Sequence, residues 1–186
     1  MNEELFGDRR KGQEEAFFAK QDEEARQKLR RQEELAERRG ALRQATGIAD
    51  EAMLDALLAH GIDAAATGAF ALLPLADVAW ADGRVEDAER DAVLTAAAST
   101  GVGQPGLSLL EAWLITQPAE ALRDTWRAYA AALAAGMDER ERDAWRQELL
   151  GNARAVAAAS GGFLGFGSKV SGAEEAVLLG IEAALR

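Results

Sequence analysis

The chain has 186 residues, 48% of them apolar, a formal charge of −11 and no cysteine. Disulfides, thiolate metal sites and a cysteine nucleophile are therefore excluded. With no apolar run of about 18 residues, so is a bilayer-spanning helix. Alanine dominates the apolar count while β-branched and aromatic residues are scarce. This predicts an all-α fold, a helical bundle of about six to eight helices. The first residues contain no apolar stretch suited to a signal peptide, and a soluble, cytoplasmic chain is expected.

The charge is unevenly placed. Residues 1–45 carry eleven acids and eleven bases, and the rest of the chain holds the whole excess. An anionic body repels phosphate backbones, so no nucleic-acid partner is expected there. Cationic groups on a protein partner, or divalent ions, suit that field better.

From Asp8 to about Ala45 the chain lacks proline and is dense in mixed charge, which predicts one long helix. Acid-to-base pairs at four-residue spacing, Asp22 to Arg26, Glu24 to Lys28 and Glu34 to Arg38, support a solvated helix. Phe17, Phe18, Ala25, Leu29, Ala36 and Leu42 are too sparse to bury a full face, and no uninterrupted heptad seam emerges. Residues 1–46 are thus expected to form a charged helical arm that protrudes or lies along the surface, and residues 47–186 a bundle.

Asp50 is placed to cap a short helix through about His60, and Gly61 to end it. Asp63 repeats the capping signal before Ala64 to Ala81, apolar nearly all round and expected to be the central core helix. Pro74 predicts a kink or split within it. Further helices are expected at about Glu86 to Thr100, Leu107 to Thr116, Pro118 or Ala119 to Ala135, Glu139 to Ala159 and Gly172 to Leu185. Asp138 with Glu141 makes a capping-box pair, and Pro118 suits a first helical turn. The glycine-rich stretch 161–167 lacks the Lys-Ser/Thr of a phosphate loop, and Phe163 and Phe166 within it are expected in the core. His60, the single histidine, sits at a helix end. No nucleophile elbow accompanies any serine, so no catalytic residue is assigned and the chain is not expected to be an enzyme. Trp80, Trp113, Trp126 and Trp145 are expected in core or groove packing.

The sharpest local feature is Ala81-Asp-Gly-Arg-Val-Glu-Asp-Ala-Glu89, where an apolar helix ends in Asp-Gly and a new one starts under an acidic turn. A related pattern returns 85 residues later, aligning Val170 with Val85 and Glu174 with Glu89. Asp82, Glu86 and Glu89, with Asp77 one helical turn earlier, supply oxygen donors for a divalent cation, calcium or magnesium. A standard EF-hand is excluded, because its first two ligand positions would fall on Val78 and Trp80. The alternative is that Glu89 and Glu174 close capping boxes, Glu174 with Ser171 as its N-cap partner.

Residues 73–90, Leu-Pro-Leu-Ala-Asp-Val-Ala-Trp-Ala-Asp-Gly-Arg-Val-Glu-Asp-Ala-Glu-Arg, resemble the tellurite-resistance TerB-like family, over about residues 64–186. The resemblance implies an all-helical bundle, a stress-linked or membrane-associated scaffold that binds a protein partner, and a divalent metal near Asp82, Gly83 and Glu89. The chain departs from that family in its 161–167 loop and in fewer acids at the second turn. The arm, from Asp8 to Arg31, is similar to inhibitor helices of ATP synthase, including the zeta type. Arg9, Glu14, Glu15, Phe17, Phe18 and the Asp22 to Glu24 cluster carry that likeness, which implies a regulator of a rotary ATPase. Arg9, Glu14, Phe17, Phe18 and Asp22 are accordingly the candidate partner-binding residues. Pairing of the arm with another copy is a further expectation.

Overall fold

The computed structural model describes the backbone at residues 2–159 and 170–185 and the side chains at residues 18, 20–159 and 170–185. The described residues form nine helices and no strand, the all-α bundle expected. The glycine-rich stretch 161–167, with Phe163 and Phe166, lies outside them. The chain divides into two compact units, Met1–Gly40 and Ala41–Arg186.

The first unit is built on helix α1, Asn2–Thr46. Its described side chains from Lys20 to Arg38 are all exposed, as the scarcity of apolar residues requires. Among them, Lys20 pairs with Glu24 at 3.9 Å and Gln27 donates to Glu23 at 2.9 Å, one turn away in each case. The division between the units falls at Gly40, and Leu42, just beyond it, is fully buried in the hydrophobic core of the second unit.

In that second unit, α1 ends where Gly47 takes a positive φ of 71°. Asp50 accepts from Ala52 N at 3.0 Å and starts α2, Glu51–Ala59. His60 is the C-cap of α2, and Gly61 follows with φ 76°. Asp63 accepts from Ala65 N and Ala66 N, holding a turn ahead of α3, Thr67–Ala71. The expected split appears at Leu72, which separates α3 from α4, Leu73–Ala79. Pro74 lies in the first turn of α4, where its missing N–H leaves no hydrogen bond unmade. Leu73, Leu75, Ala76, Val78 and Ala79 are each fully buried.

Helix α4 packs against α5 (Asp87–Ser99), α6 (Gln104–Ile115), α8 (Glu139–Ala159) and α9 (Gly172–Ala184), so it is the centre of the bundle. Helix α7, Glu120–Ala135, packs against α2, α3 and α9. Phe70 of α3 anchors an aromatic cluster, its ring centroid 5.2 Å from Tyr129 and 6.4 Å from Trp113. Burial pushes the Tyr129 hydroxyl up to about 12.

Two helix starts differ from expectation. Helix α6 begins at Gln104, not Leu107, with Pro105 in its first turn, where proline is tolerated. Gly106, in the same turn, sits at a tight contact: a Cβ there would lie 2.6 Å from Val102 Cγ1 and 3.2 Å from Ala69 Cβ. Helix α7 has Ala119 as its N-cap, so Pro118 is a buried residue preceding the cap and not part of the first turn.

Candidate functional site

The acidic turn between α4 and α5 is held almost wholly by its own residues. Gly83 N donates to Trp80 O at 2.9 Å, and Gly83 has φ 90°, a conformation that glycine adopts without steric cost. Asp82 accepts from Arg84 N at 3.2 Å. The Arg84 guanidinium donates to Glu86 at 2.9 Å and lies 3.7 Å from Asp82. Glu86 is the N-cap of α5, and its backbone N–H donates to Glu89 Oε2 at 2.7 Å, part of a capping box.

Glu89 is therefore a buried structural carboxylate, 2% exposed. Burial raises its carboxyl above the ordinary glutamate value, the hydrogen bond from Glu86 opposes that, and the charges of Asp82, Glu86 and Glu174 add to it. The second turn repeats the arrangement. Ser171 caps α9, accepting from Glu174 N at 3.2 Å while its own N–H donates to the Glu174 carboxylate, and Glu174 is 4% exposed. Val85 and Val170, which the sequence alignment pairs, are both partly buried against the core. The two turns thus share a local design, and the charge of one capping glutamate is felt by the other.

Asp77 does not join Asp82, Glu86 and Glu89. It accepts from Arg123 Nε of α7 at 2.8 Å, in an ion pair whose side chains are 19% and 22% exposed. Burial raises the Asp77 carboxyl, the hydrogen bond and charge of Arg123 lower it, Glu120 raises it and Arg127 lowers it. Among the described residues no group of three or more histidine, cysteine, aspartate or glutamate side chains is gathered as a metal would require. The four acids are spaced along the chain as donors, yet Asp77 is committed to Arg123 and Glu89 to a helix cap.

The Asp77–Arg123 pair lines a cleft of about 420 Å³ between α4, α7 and α9, with Trp80, Glu120, Trp126 and Ile181. Arg123 and Arg127 both donate to Glu120. Trp80 Nε1 donates to Trp113 O at 2.8 Å, while Trp126 Nε1 is buried without a hydrogen-bond partner among the described residues. Sequence reasoning missed the cleft because Arg123 and Asp77 are 46 residues apart and neither sits in a recognisable motif.

On the arm, Phe18 is 62% exposed and Asp22 is exposed. The side chains of Arg9, Glu14 and Phe17 lie outside the described residues. Leu29 and Leu35, 55% and 41% exposed, join Phe18 as large apolar groups at the arm surface.

No family model, curated protein or solved structure matches the chain, and so no comparison identifies it with the TerB-like family or with ATP synthase inhibitors.

Proposed function

We infer that this chain is a non-enzymatic binding or regulatory module that engages a protein partner through its N-terminal helix. The acidic body is a scaffold of the kind that the TerB-like resemblance implies. One observation carries the reading: every described side chain from Lys20 to Arg38 is exposed, Leu29 and Leu35 included. A helix this polar gains little from its own chain, since nearest-turn pairs contribute only a few tenths of a kcal/mol each. Its exposed leucines gain by burial against something else. The reading does not depend on a divalent cation: of the four acids that suggested one, Asp77 pairs with Arg123 and Glu86 and Glu89 form a capping box.

The test is affinity capture from the native cell with the full chain and with L29E/L35E. Partners retained by the wild type and lost by the variant support the reading, and an identical set from both removes it.

The second reading, regulation of a rotary ATPase, is favoured by the continuity of α1 from Asn2 to Thr46, which carries all the residues of the inhibitor likeness on one unbroken helix. Adding the full chain to ATPase-bearing membranes tests it. Unchanged hydrolysis would remove it.

A further inference from the structure

The cleft between α4, α7 and α9 has two unlike sides. On one, Arg123 and Arg127, a turn apart on α7, converge on a single carboxylate. Arg123 Nη1 donates to Glu120 Oε2 at 2.8 Å and Arg127 Nη2 to Glu120 Oε1 at 3.2 Å, and the Glu120 side chain is mostly exposed. On the other side the lining is apolar. Trp80, held by its hydrogen bond to Trp113 O, stands with Val177 and Ile181 of α9. Gly180 lines the same space, and a Cβ added there would meet nothing within 4 Å outside the adjoining helix backbone. A volume of about 420 Å³ is the size of a small-molecule site.

Both guanidiniums are already paired, so an arriving carboxylate must exchange with Glu120 rather than add to it. That exchange conserves charge. Asp77 keeps Arg123 Nε and Asp124 keeps Arg127 Nη1. With Glu120 turned to solvent, Arg123 Nη1 and Arg127 Nη2 are left for one new acid. A monoanion restores the original count, whereas a dianion adds uncompensated charge to a chain of formal charge −11. Leaving the arginines costs Glu120 little, because exposed ion pairs are weak, and the ligand gains by burying its apolar part.

We propose that this cleft binds an apolar monocarboxylate, whose carboxylate replaces Glu120 on Arg123 and Arg127 and whose hydrocarbon part lies against Trp80, Val177 and Ile181. Glu120 is then a tethered competitor that occupies the arginine clamp between ligands. The site is built from the second unit alone and is independent of partner binding through the arm.

Calorimetric titration of the full-length protein with octanoate, and separately with acetyl-alanyl-alanyl-leucine, distinguishes a free alkyl acid from a peptide C-terminus as the source of that chemistry. Octanol, octylamine and the peptide amide are the counterparts without a carboxylate. At least one of the two acids should bind, and its counterparts should not. E120Q should tighten that binding about two- to fivefold, the equivalent of removing one exposed competing pair. R127Q, which loses a charge-assisted hydrogen bond, should weaken it about tenfold or more. G180L, which raises helix propensity and fills the open space, should abolish it, with thermal unfolding of each variant confirming that the fold is kept. Failure of both acids to bind the wild type would overturn the proposal. So would a counterpart that binds as tightly as its acid, or weaker binding by E120Q than by the wild type.

Discussion

Arg123 of α7 donates from Nε to Asp77 Oδ1 of α4 across 2.8 Å, fastening a peripheral helix to the central one at the edge of the cleft. The pair is mostly buried, so removing one partner strands the other's charge. D77A and R123A should each lower unfolding stability by roughly 1.5–3 kcal/mol, the range for hydrogen bonds to charged groups. The double variant should cost less than the two added together. Chemical denaturation of the four proteins in a double-mutant cycle measures this, and full additivity would show that the pair is not coupled.

The Glu89 carboxyl is raised in the fold, chiefly by burial, so the folded state holds that proton more tightly than the unfolded chain does. Its contribution is fully present below the unfolded pKa and is lost as the pH rises through the raised folded value. E89Q keeps an acceptor for Glu86 N while removing the charge. It should match or exceed wild-type stability at neutral pH, and the gain on acidification should be smaller than in the wild type. E89A, which loses the cap, should cost about 1 kcal/mol. Thermal unfolding across pH 4 to 7, a window of about the ordinary carboxyl range and above it, separates the three proteins.

A helical glycine replaced by alanine ordinarily gains about 1 kcal/mol. Gly106 should behave oppositely, because its added Cβ would meet Val102 Cγ1 at 2.6 Å. G106A is expected to destabilise by roughly 1–3 kcal/mol through overpacking. V102A/G106A, with the obstructing methyl gone, should recover much of that loss relative to V102A alone. Denaturation midpoints provide the comparison.

Ser171 caps α9 and Glu174 answers it. S171A should lower stability by about 1 kcal/mol, and S171D should largely preserve it, since aspartate caps as well as serine does. Equal losses in both variants by thermal unfolding would show that the hydroxyl acts through something other than capping.

The sequence made most helix boundaries legible where a local chemical signal marks them. Asp50, Gly61, Pro74, Asp138 and Ser171 each act where their side chains or backbone freedom predict. It misplaced the start of α6 because Gln104-Pro105-Gly106 looks like a loop, whereas Pro105 falls in a first helical turn and the close approach of Ala69 and Val102 accounts for the glycine at 106. The acidic turn was legible as a turn and as caps. What was not legible is the placement of Asp77, because the pattern of acids along the chain contains no sign that Arg123 would pair with it. The cleft likewise depends on residues from α4, α7 and α9 that no local pattern connects.

Partner binding through the arm requires residues 20–38 to be helical with their side chains exposed. Hydrogen–deuterium exchange on the dilute full-length protein measures this residue by residue. Amides of residues 20–38 should exchange orders of magnitude faster than those of α4 and α8, as expected for a helix that opens without unfolding the core. Protection of residues 20–38 equal to that of α4 in dilute solution would mean that the arm is packed within its own chain, and would contradict the account.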